Sequence, residues 1–412
     1  MTNITFAASM QTHAKPEIQS LPSYSVEWGS NGFLKEIALK DAGVYAGAEY
    51  LRALEAGCGG KGKFLYPIVK QGDKIVAHGC FQELVLYKEN LDELGRLFES
   101  DSKFTLHIES VVKMLVHLGS GKKGIRILIA GNAQVSGPYG LYFDEGINSK
   151  AVANIWSKVV SEADMVQGPY SIIMVKEFPK EYGQTLAQFN KESYRKVPSL
   201  PIMVMPVSSE WKVFDDYLNA MASKYRIRAR AARKKGVQLE RQQWGFEAIH
   251  EHSEQIDELY RNVFDKARFR LFRMRPAYFE SLKRELGDRL RFNAYLVKGK
   301  LVGFSTFIIH NNQGDAHLIG LDYEANKKYS LYQNILYDYV EQAIELGIAR
   351  LDLGRTAMEI KSTIGAIPEE HQVLVKMRNP ILNGISCMLM ENSSPKHWVQ
   401  RHPFKEDIVE SE

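Results

Sequence analysis

Residues 290–321 read LRFNAYLVKGKLVGFSTFIIHNNQGDAHLIGL, and residues 331–353 read LYQNILYDYVEQAIELGIARLDL. Two apolar runs, 290 to 297 and 301 to 309, flank Lys298-Gly299-Lys300, which has the composition of a hairpin turn. A third strand, Ala316 to Leu321, follows a polar turn over Asn311 to Asp315. Leu331, Ile335, Leu336, Val340, Ala343 and Ile344 then recur at helical spacing, Gly347 offers a left-handed stop, and Ala349 to Leu353 returns to strand. Hairpin, strand, helix and strand in this order predict an α/β unit.

Just upstream, Phe214, Tyr217, Leu218, Met221 and Tyr225 form one core-facing helical stripe whose continuation is strongly basic. Helices near 254 to 266 and near 276 to 286, the latter opened by Pro276, come next. The first half repeats the order of signals. Phe64 to Val69 and Ile75 to Leu86 read as strands around Gln71-Gly72-Asp73, followed by a helix over 103 to 119 and a buried strand at Ile125 to Ala130. The loop Gly131 to Gly140, a helix near 148 to 161 and a strand at 171 to 176 complete it. Both hairpins carry a Val-Lys, a Gly, a Lys and apolar residues ending in Phe, and the shared order of elements predicts a duplicated domain. The expected division is an irregular segment over 1–30, a first domain over 31–200, a second over 201–395 with a basic helix at 211–235, and a tail over 396–412, with the proline-punctuated Val197 to Pro206 at the boundary.

A length of 412 residues exceeds what one core usually organises, and 45% apolar with 25% charged residues suits a folded chain. Three cysteines, Cys58, Cys80 and Cys387, are too few and too scattered for a disulfide framework or a four-ligand zinc site, which predicts a reducing compartment. No apolar stretch approaches a membrane span and no secretory leader is legible, so the expected location is cytoplasmic, extending to the inner face of the membrane as a peripheral site. The net charge is +4, yet Lys224, Arg226, Arg228, Arg230, Arg233, Lys234 and Lys235 crowd into one short segment, so the remainder of the chain is net acidic. A local anionic partner follows, tRNA or an anionic membrane surface, and a solvated helix competes with both.

Several motifs are excluded. Gly57 to Lys63 nearly spells a phosphate-binding loop, but Phe64 follows where a hydroxyl residue is needed and the segment precedes a strand instead of opening a helix. No Gly-x-Gly-x-x-Gly occurs, His250-Glu251-His252 lacks a zinc-protease spacing, and nothing resembles a nucleophile elbow. No metal site and no permanently bound cofactor are expected.

The segment Leu351-Asp352-Leu353-Gly354-Arg355, with Glu359 to Ala366 after it, ends a strand in a glycine-bounded turn that carries Arg355 and Lys361. Side chains beyond the carboxyl end of such a strand face the ligand crevice of an open α/β sheet, where a cation would neutralise a phosphate or an oxyanion. Pairing of Arg355 with Asp352 or Glu359 at a domain surface is the competing reading.

Trp211, Tyr225-Arg226-Ile227-Arg228, the hairpin at 295 to 307, His317-Leu318-Ile319-Gly320-Leu321, the helix from Tyr332, and Lys361-x-x-x-Gly365-Ala366 together make residues 200 to 380 resemble the acyltransferase domain shared by the Fem peptidyltransferases and related GNAT proteins. Residues 35 to 190 resemble it more weakly. The resemblance implies two tandem GNAT-like domains of α/β type with mixed sheets, and transfer of an acyl or aminoacyl group to an amine acceptor on a cell-envelope precursor or lipid, as in peptidoglycan biosynthesis. It puts Lys361 beside the donor and sets the donor's path along Gly320, Lys327, Lys328 and Tyr332. Acyl-CoA, acyl-carrier protein and aminoacyl-tRNA all stand as co-substrates. The glycine loop that grips the pyrophosphate of CoA has no counterpart between Leu321 and Leu331, and Fem-type enzymes depart similarly. The mechanism this implies has backbone amides of strand 316 to 321 meeting the donor carbonyl, Lys361 or Arg355 stabilising its oxyanion, and Asp322 or His317 removing the amine proton, with the loop Asn132 to Gly140 on the acceptor side. A non-catalytic protein that holds RNA or a membrane through the basic helix is the alternative.

Overall fold

The computed structural model describes residues 24–29, 43–59, 62–86, 124–178, 183–197, 199–266, 273–384 and 398–405. The helix expected over 103 to 119, Cys387 and most of the segment expected to be irregular at the N-terminus lie outside these residues.

Strand chemistry and turn chemistry agree best in the second half. Strands β11 (Leu290–Val297), β12 (Lys300–His310) and β13 (Gln313–Leu321) form an antiparallel meander. Lys298 and Gly299 both have positive φ, the backbone of a two-residue turn that matches strand twist. Asn311 and Asn312 make the second turn in the same way, at φ 44° and 56°, a region asparagine tolerates. The polar turn expected over Asn311 to Asp315 is therefore only two residues long, and Gln313, Gly314 and Asp315 belong to the strand. The whole sheet runs β10 (Glu240–Trp244), β11, β12, β13, β14 (Arg350–Asp352), β9 (Ile202–Pro206), β15 (Ile367–Glu369). Only β13 and β14 pair in parallel within it.

The other sheet runs β6 (Leu141–Phe143), β3 (Lys74–Gly79), β2 (Lys63–Gln71), β4 (Phe81–Leu86), β5 (Ile125–Ala130), β7 (Ile172–Phe178), β16 (Gln372–Met377), β8 (Arg195–Val197), with β1 (Ser25–Gly29) beside β2. The single strand expected over Ile75 to Leu86 is two. At Cys80 the backbone N–H leaves the ladder for the carbonyl of Gly140, and the strands on either side take different neighbours. Helix α2 (Ser149–Val166) buries Ile155, Trp156, Val159 and Val160, and α3 (Gly183–Lys191) lies beside it.

Three segments depart from a simple division near residue 200. Residues 25–29, expected to be irregular, form β1. Strand β16 comes from the C-terminal half but lies between β7 and β8 in the first sheet, while β9 sits between β14 and β15 in the second, so the chain crosses twice at adjacent places. Helix α1 (Ala48–Cys58) packs its Leu51, Leu54 and Cys58 into a core shared with Tyr278, Phe279 and Leu282 of α8 (Ala277–Leu286). The helices approach so closely that a Cβ on Gly57 would lie 2.7 Å from the Tyr278 ring.

The helix expected over 211–235 is broken in two, α4 (Phe214–Ala220) and α5 (Ser223–Lys235). Met221 and Ala222 are extended because the C-terminal segment pairs there. Ala222 donates to Pro403, and Met221 bridges Phe404, whose ring packs on Trp211 and Tyr217. Residues 398–405, expected to be a tail, thus close one end of the second core. The remaining helices are α6 (Phe246–Glu251), α7 (Ser253–Lys266), α9 (Tyr323–Tyr329), α10 (Leu331–Glu345) and α11 (Met358–Ser362).

Candidate active site

Strands β13 and β14 are in register for three residues, Gln313 to Asp315 against Arg350 to Asp352. Then they separate. β13 continues to Leu321, whereas β14 stops and its chain turns away through Gly354, Thr356 and Ala357, all at positive φ. The gap is a cavity of about 330 Å³ lined by Ala316 to Ile319 on one side and Leu353 to Thr356 with Lys361 on the other. Ala133 to Ser136 of the first half and the Tyr45 and Tyr332 side chains complete its wall.

Asp315 and Asp352 face each other in register at the base of the cavity. One oxygen of Asp315 accepts from Tyr45 Oη at 2.6 Å and lies 2.8 Å from His310 Nε2, and the other accepts from Gln313 Nε2 at 2.9 Å. Asp352 Oδ1 accepts from the Gly354 N–H at 2.7 Å. Burial, reinforced by the charge of Asp315, pushes the Asp352 carboxyl up to about 7 against the opposing pull of that N–H, Arg350 and Lys361. Lys361 Nζ donates to the carbonyls of Arg355 at 2.6 Å and Gly354 at 3.2 Å, pinning the turn that ends β14. Burial pushes this amine down to about 7, with Asp352 acting in the other direction. An acid and an amine that both exchange protons near neutrality therefore share one wall of the cavity.

The residues expected at the site separate into two places. Lys361, Arg355, His317 and Tyr332 line the cavity, as does part of the loop Asn132 to Gly140. Arg355 pairs neither with Asp352 nor with Glu359. It reaches across to Glu177 at 3.2 Å, while Glu359 pairs with Arg401. Glu177 also holds Lys176 at 2.5 Å and accepts from the Gly137 N–H, and Lys176 donates to the Val135 carbonyl, so this ion cluster fixes the loop that forms the far wall. The buried Nε of Arg355 has no hydrogen-bond partner among the described residues.

His317 does not suit proton removal. Burial pushes its imidazole down to about 4, and its Nε2 lies 2.6 Å from the hydroxyl of Tyr278, a group whose own ionisation burial suppresses. Asp322 caps α9, accepting from the N–H groups of Glu324 and Ala325 at 2.9 and 3.0 Å, and is not among the residues that line the cavity. With Lys327 and Lys328 it borders a separate, shallower cleft of about 570 Å³. Gly320 is a packing residue: a Cβ there would lie 2.2 Å from the Phe304 ring and 2.9 Å from the backbone of Leu259 in α7. Sequence reasoning missed Tyr45, Asp315, Glu177 and the part played by Asp352. The signal for the last was an acid between two leucines in a strand buried at its end.

On the face of α5, Arg233 is not free for a partner. It lies over the Phe214 ring and pairs with Asp338 and Glu341. Lys224, Arg228, Arg230, Lys234 and Lys235 are exposed, and the exposed Lys327 and Lys328 belong to α9, which packs beside α5.

Residues 223–362, which span the basic helix, the meander, the parting strands and Lys361, match the sequence profile described as an acetyltransferase (GNAT) domain. These residues form a GNAT domain, in a chain with a Fem-like fold. Among solved structures, FemX is 10% identical, with 87% of this chain and 99% of that chain covered at a TM-score of 0.51, a likeness of fold. A tandem GNAT protein from the clavulanic acid biosynthesis pathway is 9% identical over 81% of this chain and 88% of its own, at 0.43. The C-terminal domain of a putative lysylphosphatidylglycerol synthetase from Agrobacterium fabrum is 13% identical over 73% and 95%, at 0.42. No protein with a curated description matches the sequence. The two mixed sheets are consistent with two GNAT-like domains, and the acetyltransferase domain match supports acyl transfer. Among the described residues, no helix is long and apolar enough to cross a membrane.

The two shifted groups predict a pH signature of stability. Asp352 binds its proton more tightly folded than unfolded, so its contribution is complete below about pH 4 and is lost as pH rises to about 7. Lys361, shifted down, contributes a rise in stability from about pH 7 towards 10.5. In urea unfolding followed across pH, the difference curve between wild type and Asp352→Asn should therefore slope between about pH 4 and 7. A flat difference curve would show that Asp352 keeps an ordinary carboxyl.

Proposed function

We propose that this protein transfers an acyl or aminoacyl group from an activated donor to an amine held in the cavity between β13 and β14. The observation that carries the reading is the cavity itself, which Asp352, Lys361 and Arg355 all line and where Asp352 is poised to take a proton at neutral pH. Amide formation requires a proton acceptor matched to the operating pH and donors aimed at the developing oxyanion. The amine nitrogen attacks the donor carbonyl, and Arg355 stabilises the oxyanion. The C–N bond forms, Asp352 receives the ammonium proton, and the ester or thioester bond breaks with its electron pair leaving on the donor's carrier. Lys361 keeps Gly354 and Arg355 in place for this step.

The donor we propose is aminoacyl-tRNA. In α9 the first free amides, the place where a pyrophosphate would be gripped, are already filled by the carboxylate of Asp322. A CoA donor would meet a negative charge there. The exposed cations of α5 and of the adjoining α9 instead suit a polyanionic carrier. The acceptor is an amine on a cell-envelope precursor or lipid, the class the family resemblance implies.

Mass spectrometry of lipids and envelope precursors from cells with and without the gene should reveal one aminoacylated species that depends on it. Asp352→Asn should lower that species by about a hundredfold or more in initial rate, and an undiminished product would remove Asp352 from the reaction. In binding assays with purified protein, tRNA should be retained with a steep salt dependence that weakens in the triple variant Lys224→Glu, Arg228→Glu, Arg230→Glu. Binding of acetyl-CoA, or of anionic vesicles but not tRNA, would contradict the donor assignment.

A further inference from the structure

Asp315 carries no part in the transfer step described above, yet it is the most heavily partnered group in the cavity. Its two oxygens face Tyr45 from the N-terminal 3-10 turn, His310 from the end of β12 and Gln313 from its own strand. A phenol and an amide thus donate to its two different oxygens, which fixes the carboxyl group in place. Directly across the strand pair lies Asp352, whose Oδ1 accepts from the Gly354 N–H and which has no second hydrogen-bond donor among the described residues. The asymmetry of partners separates two acids that would otherwise be equivalent. The charged and titratable groups that act on Asp352 are Asp315 from β13, Arg350 from β14 and Lys361 from α11, with the Tyr139 phenol facing it from the first-half loop.

We propose that Asp315 is a positioning residue for the transfer: held by Tyr45 and Gln313 and in register with Asp352 across the strand pair, it acts on the acid that faces it. Its meaning for catalysis rests on the reading of Asp352 as proton acceptor, whereas the electrostatic link between the two acids does not. Two like charges side by side in a buried site cannot both be held cheaply. Asp315 has three neighbours on its two oxygens, whereas Asp352 has the one N–H. Tyr45 then has a function at a distance from its own half of the chain, because it holds in place the charge that tunes a residue of the second sheet.

The link can be read without any substrate. In protein labelled with 13C at the aspartate carboxyl, the Asp352 signal is the one absent from Asp352→Asn, and its titration midpoint is followed in wild type, Asp315→Asn and Asp315→Glu. Asp315→Asn should lower the midpoint by about one pH unit or more, and Asp315→Glu, which restores the charge, should bring it back towards the wild-type value. If Asp315→Asn does not fold, as judged by its melting curve, Asp315→Ser removes the charge and keeps a hydroxyl for Tyr45, with the same expected fall. An Asp352 midpoint that stays in place, or rises, in the neutral variants would overturn the proposal. The outcome is distinguishable from failure of the functional reading: loss or retention of product in Asp352→Asn decides whether Asp352 takes part in transfer, while the carboxyl titration decides whether Asp315 controls it.

Discussion

The site exists because a parallel strand pair stops after three residues. Parallel strands that stay in register leave no room between them, since hydrogen bonds hold neighbours about 4.8 Å apart. Here β14 ends at Asp352 and its chain departs through three residues of positive φ, two of which, Thr356 and Ala357, carry side chains that make this conformation costly. Lys361 offsets that cost by binding the carbonyls of Gly354 and Arg355, and Asp352 by accepting from the Gly354 N–H. The same contacts that keep the strands apart bury an acid and an amine at the point of separation. Opening the cavity and shifting these groups towards neutrality are therefore one structural event.

The first half supplies the opposite wall, and its own parallel pair explains how. Strands β5 and β7 stay in register from Ile127 and Ile172 to Ala130 and Val175, and the loop beyond β5 is held down by Lys176 and Glu177. Residues Ala133 to Ser136 of that loop face the cavity of the second sheet. Arg355 closes the arrangement by pairing with Glu177 from the other side. With β16 inserted in the first sheet and α1 packed on α8, neither half completes its core without segments from the other. The cavity walls are thus held at a spacing that both halves determine.

Local order was largely legible in the sequence. The β11 to β13 meander, α7, α8, α10 and the strand before Gly354 follow from periodicity and punctuation that no tertiary contact overrides. Failures came where partners far along the chain decide. The helix through Met221 breaks because residues 403 and 404 return to pair with it, and periodicity within the helix carries no trace of that. Strand β16 reads as an apolar run, but nothing in its residues says that it belongs beside β7. Asp315 was lost to a turn assignment three residues too long, because Asn-Asn was not credited with making a whole turn by itself. Arg355 and Lys361 were found from their position after a strand, whereas Glu177 and Tyr45 lie in segments with no motif and become meaningful only through the distances that folding creates.

The central claim is that transfer takes place in the space between the parted strands. Ala316 lies on the wall of that space and is only partly buried, so a large side chain there can fill the cavity without entering the core. The most direct measurement is the amount of gene-dependent acylated product in cells carrying Ala316→Trp, with expression and melting temperature checked alongside. Stable protein with no product is the predicted result. Stable protein with product at the wild-type level would mean that the chemistry happens somewhere else.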